Sequence, residues 1–286
     1  MGGFQVVRNP VYRLRQRLFP HSMATTPYYF AMLSHPGRVR TGNEDRCAAS
    51  VEAGAFVVCD GMGGAAAGEV ASEMAAKTFL KMLMPTIEKT PRTPTPDARL
   101  DAAIQAANEA VYEHSRSGEW LHGMGTTLVA LLVQRSAVKN KLSVTLAHVG
   151  DSRCYLFRKG VLTLLTTDHS LVEEQLRAGE ITAEEAEVHP MRNIITRAVG
   201  SQASVEPEIR HLDVESGDVY LLASDGLTRE LTEKQIAQTI QRAQSKEQLR
   251  RRAPRVLLAS LCQTLVEEAN DAGGGDNITV LLLQVA

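Results

Sequence analysis

Four aspartates in this 286-residue chain border apolar runs, and carboxylates in that setting can hold cations. The run Phe56-Val57-Val58-Cys59 leads into Asp60-Gly61-Met62-Gly63-Gly64, a buried-strand pattern followed by a glycine-rich turn. Taken alone, Asp60 has two readings: a cap for its own turn, or a half-desolvated carboxylate that needs N–H groups or a cation as partner. The setting recurs. Asp151 and Asp225 each end an apolar run, and Asp276 precedes one. If the strand after Asp276 runs antiparallel to the others, all four carboxylates meet at one sheet edge. There they repel one another unless cations or shifted pKa values relieve them. Cations are the simpler answer. An oxygen-only set without histidine or thiolate pairs favours hard ions, Mg2+ or Mn2+, over zinc.

The elements that must position these groups follow from periodicity. Residues 28 to 33 are strand-like, and residues 47 to 51 and 55 to 59 read as a hairpin that returns Asp45 towards Asp60. Residues 69 to 83 and 97 to 115 are amphipathic helices, striped by Ala76, Phe79, Leu80 and Leu83 and by Leu100, Ile104, Ala107 and Val111. The proline-rich stretch between them, 85 to 96, reads as a surface loop, which lays both helices antiparallel on one sheet face. Strands are expected at 126 to 133, 142 to 149, 154 to 157, 161 to 165, 205 to 212, 219 to 223 and 278 to 285. Residues 168 to 200 break this rhythm with two short helices, the second opened by a Thr182/Glu185 capping box, and read as a mobile lid. Helices at 233 to 243 and 257 to 268 complete the pattern. The basic residues between them, Lys246, Arg250, Arg251, Arg252 and Arg255, read as a solvated face or a docking patch.

Composition narrows the class. A hydrophobic content of 44% suits a packed core, and a net charge of -2 argues against nucleic-acid binding. The four cysteines lack CxxC spacing and read as reduced core residues of a cytoplasmic protein, with no zinc site. The apolar stretches fall short of the ~20 residues of a membrane span, and no secretory segment is evident. The first 27 residues, carrying Arg8, Arg13, Arg15 and Arg17, form a basic arm without core pattern, and no acidic residue precedes Glu44. A flexible extension is expected there, or a tether to an acidic partner or membrane surface. Met23 is an alternative start. Residues 28–286 are expected to form one domain and a monomer.

Six motifs occur in order: Arg40-Thr41-Gly42-Asn43-Glu44-Asp45, Asp60-Gly61-Met62-Gly63-Gly64, Gly123-Met124-Gly125-Thr126-Thr127, Gly150-Asp151-Ser152-Arg153, Ser224-Asp225-Gly226 and Gly275-Asp276-Asn277-Ile278-Thr279. On these the chain resembles the metal-dependent PPM, or type 2C, serine/threonine protein phosphatases in their bacterial form. The resemblance spans residues 28 to 286. It implies an α+β fold, a four-layer α-β-β-α sandwich of two antiparallel sheets between helix pairs, with residues 168–200 as a flap beside the cleft. It also implies two Mn2+ or Mg2+ ions bridged by Asp60, with Asp225 and Asp276 completing one shell and Glu44 with the Gly61 carbonyl the other. Asp45 would hold water bound to the ions. Hydroxide between the ions would attack the phosphorus of phosphoserine or phosphothreonine directly, and Arg40 would clamp the phosphate. For Arg40 and Asp45 the alternative is a surface ion pair. Arg192 or Arg197 would contact phosphopeptide, and an opposing serine/threonine kinase is implied.

The chain departs from the family at two positions. Arg229 stands where members often have an aspartate that, with Asp151, helps hold a third ion, so a third site on Asp151 and Asp225 is expected to be weaker. Ala65 stands where bacterial members commonly have histidine, which leaves the general acid unassigned. His122, His148, His169 and His189 are proton-transfer candidates or structural and solvent-facing residues. One rival is a binding module that keeps the fold without turnover. A P-loop nucleotide site is excluded because no Lys-Ser/Thr follows the glycines.

Overall fold

Strands buried along nearly their whole length require cover on both faces. Burial is continuous over the first five residues of β4 (Ala55–Met62), the first six of β6 (Leu128–Arg135), and all of β11 (Val219–Ala223). The arrangement that satisfies them is two stacked sheets with helices outside. The computed structural model describes residues 5–6, 27–63, 67–85, 94–135, 141–245 and 253–286.

The first sheet is ordered β1 (Gln5–Val6), β3 (Asp45–Ser50), β4, β6, β7 (Leu142–Val149), β10 (Glu208–Leu212), with β5 (Gly125–Thr126) paired to the end of β4. The second is ordered β2 (Tyr28–His35), β12 (Ile278–Val285), β11, β8 (Arg153–Arg158), β9 (Val161–Leu164). The strand pairs are antiparallel.

Three apolar layers hold the sandwich. Helices α1 (Ala67–Leu83) and α2 (Pro96–Ser115) pack Phe79, Leu80, Leu83, Leu100, Ile104 and Val111 on the first sheet. Between the sheets, Phe56, Val58 and Leu131 meet Tyr220, Leu281 and Leu283. Outside the second sheet lie the helices at Glu233–Ala243 and Pro254–Ala272, through Ile236, Ile240, Leu258, Leu261 and Leu265. Each such side chain contributes roughly 1.5–3 kcal/mol by leaving water. The result is the expected four-layer α+β sandwich. Between β9 and β10 lie two short helices, α3 (Leu171–Ala178) and α4 (Ala183–Val188), the latter with the anticipated Thr182/Glu185 capping box. A single turn, α5 (Asp225–Thr228), follows β11, so the two outer helices of the second sheet are α6 (Glu233–Ala243) and α7 (Pro254–Ala272).

Several boundaries differ from expectation by a few residues, and three of them have a plain local cause. β4 continues two residues past Asp60 because β5 pairs with Gly61 and Met62, so Asp60 lies within the strand. β10 starts at Glu208 rather than 205, since Pro207 has no N–H to offer the ladder. α7 is longer at both ends, opening with Pro254 in the first helical turn. Two residues of the basic arm, Gln5 and Val6, pair with Ala49 and Ala48. Arg8, Arg13, Arg15 and Arg17, Ala65, residues 86–93 of the proline-rich loop, and Lys246, Arg250, Arg251 and Arg252 lie outside the described residues. All four cysteines are free and buried. Among the described residues no helix is long and apolar enough to cross a membrane.

Candidate metal centre

The hairpin of β3 and β4 sets Asp45 directly opposite Asp60 in the antiparallel register. The backbone of Asp60 is held on both sides. Its N–H donates to Thr127 Oγ1 at 3.0 Å, and its carbonyl accepts from Thr127 N–H at 2.9 Å and Thr126 Oγ1 at 2.8 Å. Thr127 Oγ1 is in turn 2.7 Å from Ser152 Oγ, beside Asp151. The two threonines of the Gly-Thr-Thr motif are thus supports for the aspartate, a role their presence in a motif hinted at without specifying.

The second sheet supplies the other acids. Asp225 opens α5 just beyond β11, and Asp276 precedes β12, the antiparallel neighbour of β11. A Cβ on Gly226 would lie 2.1 Å from the Asn277 carbonyl oxygen, so only glycine lets these two turns meet. Ser224 ties the sheets together: its Oγ donates to Asp45 Oδ2 at 2.7 Å and accepts from Thr279 N–H at 3.0 Å. Asn277 fixes the loop that carries Arg40 and Glu44, donating to the carbonyls of Pro36 and Gly42 at 2.9 Å and accepting the Glu44 N–H at 2.8 Å. Glu44 lies against the start of α1, where a Cβ on Gly68 would come within 2.3 Å of its Oε2. Gly61 N–H donates to the Glu44 carbonyl at 3.1 Å.

Crowded, desolvated acids resist ionisation. Burial, then the charges of Asp45, Asp225, Asp151 and Asp276, hold the Asp60 carboxyl well above the usual range. Burial also raises Asp225, which shares a hydrogen bond with Asp60 and is opposed by the nearby Arg229. Asp45 is pushed up to about 7 by burial against the opposing hydrogen bonds of Ser224 and Thr279. Asp151 reaches about 7 through burial and its neighbours Asp225 and Asp168, again opposed by Arg229. Glu44 is raised by burial, with Arg40 opposing. Asp45 Oδ1 and Asp151 Oδ1 are buried without a hydrogen-bond partner among the described residues. An acid cluster built only of oxygens, with two orphaned acceptors, fits hard divalent cations.

Two guanidinium groups touch this cluster. Arg40 Nη2 is 2.9 Å from Asp276 Oδ2, with its side chain 57% exposed. Arg229 pairs with Asp225 through Nη2, and its Nη1 is 3.4 Å from the same Asp276 oxygen. Arg40 therefore stands at the mouth of the site, on a carboxylate. Arg192 and Arg197 are exposed; Arg197 donates to the Glu206 carbonyl at 3.5 Å, and among the described residues neither pairs with a site carboxylate.

A different trio, His148, His169 and Glu208, brings three ligand atoms within 4.8 Å of one another. Its imidazoles are stacked with centroids 4.7 Å apart. Hydrogen bonds define their tautomers. His148 Nε2 donates to the Thr167 carbonyl at 2.8 Å, which leaves Nδ1 as a lone pair, buried and without partner. His169 Nδ1 accepts from Gly150 N–H at 3.1 Å, so the neutral ring carries its proton on Nε2. One imidazole lone pair and one carboxylate remain, too few for a metal site in this arrangement. Both rings are structural: they tie the loop before α3 to the end of β7. His122 is exposed and His189 partly so.

Comparison with known proteins agrees with this geometry. The family model for protein phosphatase 2C matches residues 37–265. The serine/threonine phosphatase stp of Listeria monocytogenes serotype 4b (strain F2365) is 38% identical over 260 residues, 87% of this chain and 92% of that protein. The crystal structure of the Mycobacterium tuberculosis serine/threonine phosphatase PstP/Ppp superposes with a TM-score of 0.74 at 36% identity, covering 90% of this chain and 98% of that one. The catalytic domain of the phosphatase PstP in complex with 2 manganese ions superposes at 0.73 with 34% identity, covering 91% and 98%. The chain belongs to the protein phosphatase 2C family.

Proposed function

We propose that this chain is a metal-dependent phosphatase that hydrolyses phosphoserine and phosphothreonine in proteins. The observation that carries the reading is the buried acid cluster around Asp60, with orphaned oxygens on Asp45 and Asp151. Asp60, Asp225, Asp276, Glu44 and the Gly61 carbonyl would hold two Mn2+ or Mg2+ ions, as a PstP catalytic domain holds two manganese ions. Such ions neutralise the phosphate ester and lower the pKa of water. The protein's own part is positioning. Asp45, held by Ser224, offers its free Oδ1 to water at the site. Arg40 exchanges Asp276 for the phosphate oxygens, a bidentate contact that suits a planar guanidinium.

Direct attack by water is favoured by the nearest thiols. Burial raises the pKa of Cys47 and Cys59, so neither is a thiolate at neutral pH. No covalent enzyme intermediate is then needed. In the same reading, residues 168–200 border the cleft as a flap and present Arg192 and Arg197 to the phosphopeptide, and a serine/threonine kinase opposes the enzyme in the cytoplasm.

The test is phosphate release from a phosphothreonine peptide and from p-nitrophenyl phosphate, with Mn2+ and with EDTA. Turnover with Mn2+ alone is expected. No turnover at saturating Mn2+ would leave a binding module that keeps the fold.

A further inference from the structure

Arg229 closes α5, and its own N–H is bonded to the Asp225 carbonyl at 2.8 Å, so its side chain leaves from a fixed turn. The next residue, Glu230, accepts the N–H of Gly275 at 2.9 Å. The turn of α5 thus reaches the loop bearing Asp276 in two ways, through its backbone by Glu230 and through its carboxylate by Arg229. The guanidinium spans Asp225 and Asp276, and its charge also reaches Asp151. Asp151 is 8% exposed, its Oδ1 has no hydrogen-bond partner among the described residues, and its carboxyl lies within the field of this cation.

We propose that Arg229 is a resident cation of the carboxylate centre, one that pairs with Asp225 and Asp276 and keeps a divalent ion off Asp151. The inference rests on reading the cluster as a metal centre. A divalent ion placed between Asp151 and Asp225 would share Asp225 with the guanidinium and meet like charge at close range. The guanidinium already lies against Asp225 and Asp276, so each further cation added on this side of the cluster costs more than the last. Arg229 thereby sets how many ions the centre takes, and it stabilises the acid cluster when divalent ions are scarce.

The experiment counts bound Mn2+ per chain, by the electron paramagnetic resonance signal of free Mn2+ and by calorimetric titration. Arg229→Gln removes the charge and keeps a hydrogen-bond donor on a shorter side chain. It is expected to bind one Mn2+ more per chain than wild type, or to bind the weakest ion at least about fivefold more tightly. Asp151→Asn in the Arg229→Gln background is expected to abolish that gain and leave the remaining ions in place. Melting in EDTA supplies a second readout, with Arg229→Gln expected below wild type because Asp225 loses its paired cation, while Asp276 keeps Arg40. Equal stoichiometry and affinity in wild type and Arg229→Gln overturns this proposal alone. A wild-type chain that binds no Mn2+ overturns the metal reading of the cluster, and this proposal with it.

Discussion

Asp60→Asn separates what the acid cluster does for stability from what it does for function. Asp60 shares a hydrogen bond with Asp225, and both carboxyls are held above their usual range, so the metal-free fold is strained by ionisation. Two full charges about 4 Å apart at an effective dielectric of about 20 repel by about 4 kcal/mol. Retained protons already remove most of that, and an amide at position 60 is expected to return about 1 to 2 kcal/mol at pH 8. For a domain of this size each kcal/mol moves the melting temperature by about 2–4 °C. In EDTA at pH 8, Asp60→Asn should therefore melt about 2 to 8 °C above wild type. With Mn2+ at a hundred times its Kd, wild type should gain about 2.7 kcal/mol, while the variant gains little. The order of the two melting curves then reverses between EDTA and Mn2+, and phosphate release is lost in the variant. A variant less stable than wild type in EDTA, or one stabilised equally by Mn2+, would refute the reasoning.

Further outcomes follow from the same geometry. Burial pushes the Asp45 and Asp151 carboxyls up to about 7, well above the usual carboxylate range, so the folded state binds more protons than the unfolded chain between those values. Their contribution is fully present below about pH 4 and is lost as pH rises through about 7. Melting in EDTA should therefore drop between pH 5 and pH 8, less steeply in Asp151→Asn; equal slopes would contradict the assignment. Arg40→Ala should raise KM for p-nitrophenyl phosphate severalfold with a smaller change in kcat, and a fall in kcat alone would remove Arg40 from phosphate binding. Ser224→Ala takes a hydrogen bond from buried Asp45 and should cost about 1–3 kcal/mol in thermal unfolding; no measurable loss would show that Ser224 does not tie the sheets.

Much of the fold was legible because its signals are local. The Thr182/Glu185 capping box lies within four residues, and the stripes of α1 and α2 repeat every turn. The extension of β4 past Asp60 was not legible, since it depends on β5, whose Thr126 pairs with Gly61 from far along the chain. The site divides in the same way. Asp60, Asp225 and Asp276 were readable from their repeated setting beside apolar strands, and Asp45 from the hairpin register. The supports were less so: Ser224 meets Asp45, and Asn277 meets Pro36 and Gly42, only because the two sheets stack. Arg229 stood out as a departure from the family, but its place across Asp225 and Asp276 depends on how α5 and the loop before β12 meet. Arg40 likewise reaches Asp276 across 236 positions, a contact invisible to any local pattern.

Whether cations occupy the acid cluster around Asp60 is tested by a crystal of this protein soaked in Mn2+, with diffraction recorded above the manganese absorption edge. Anomalous peaks are predicted beside Asp60, one shared with Asp225 and Asp276 and one towards Glu44 and the Gly61 carbonyl. Empty density at these carboxylates, at a Mn2+ concentration that supports phosphate release, would contradict the account.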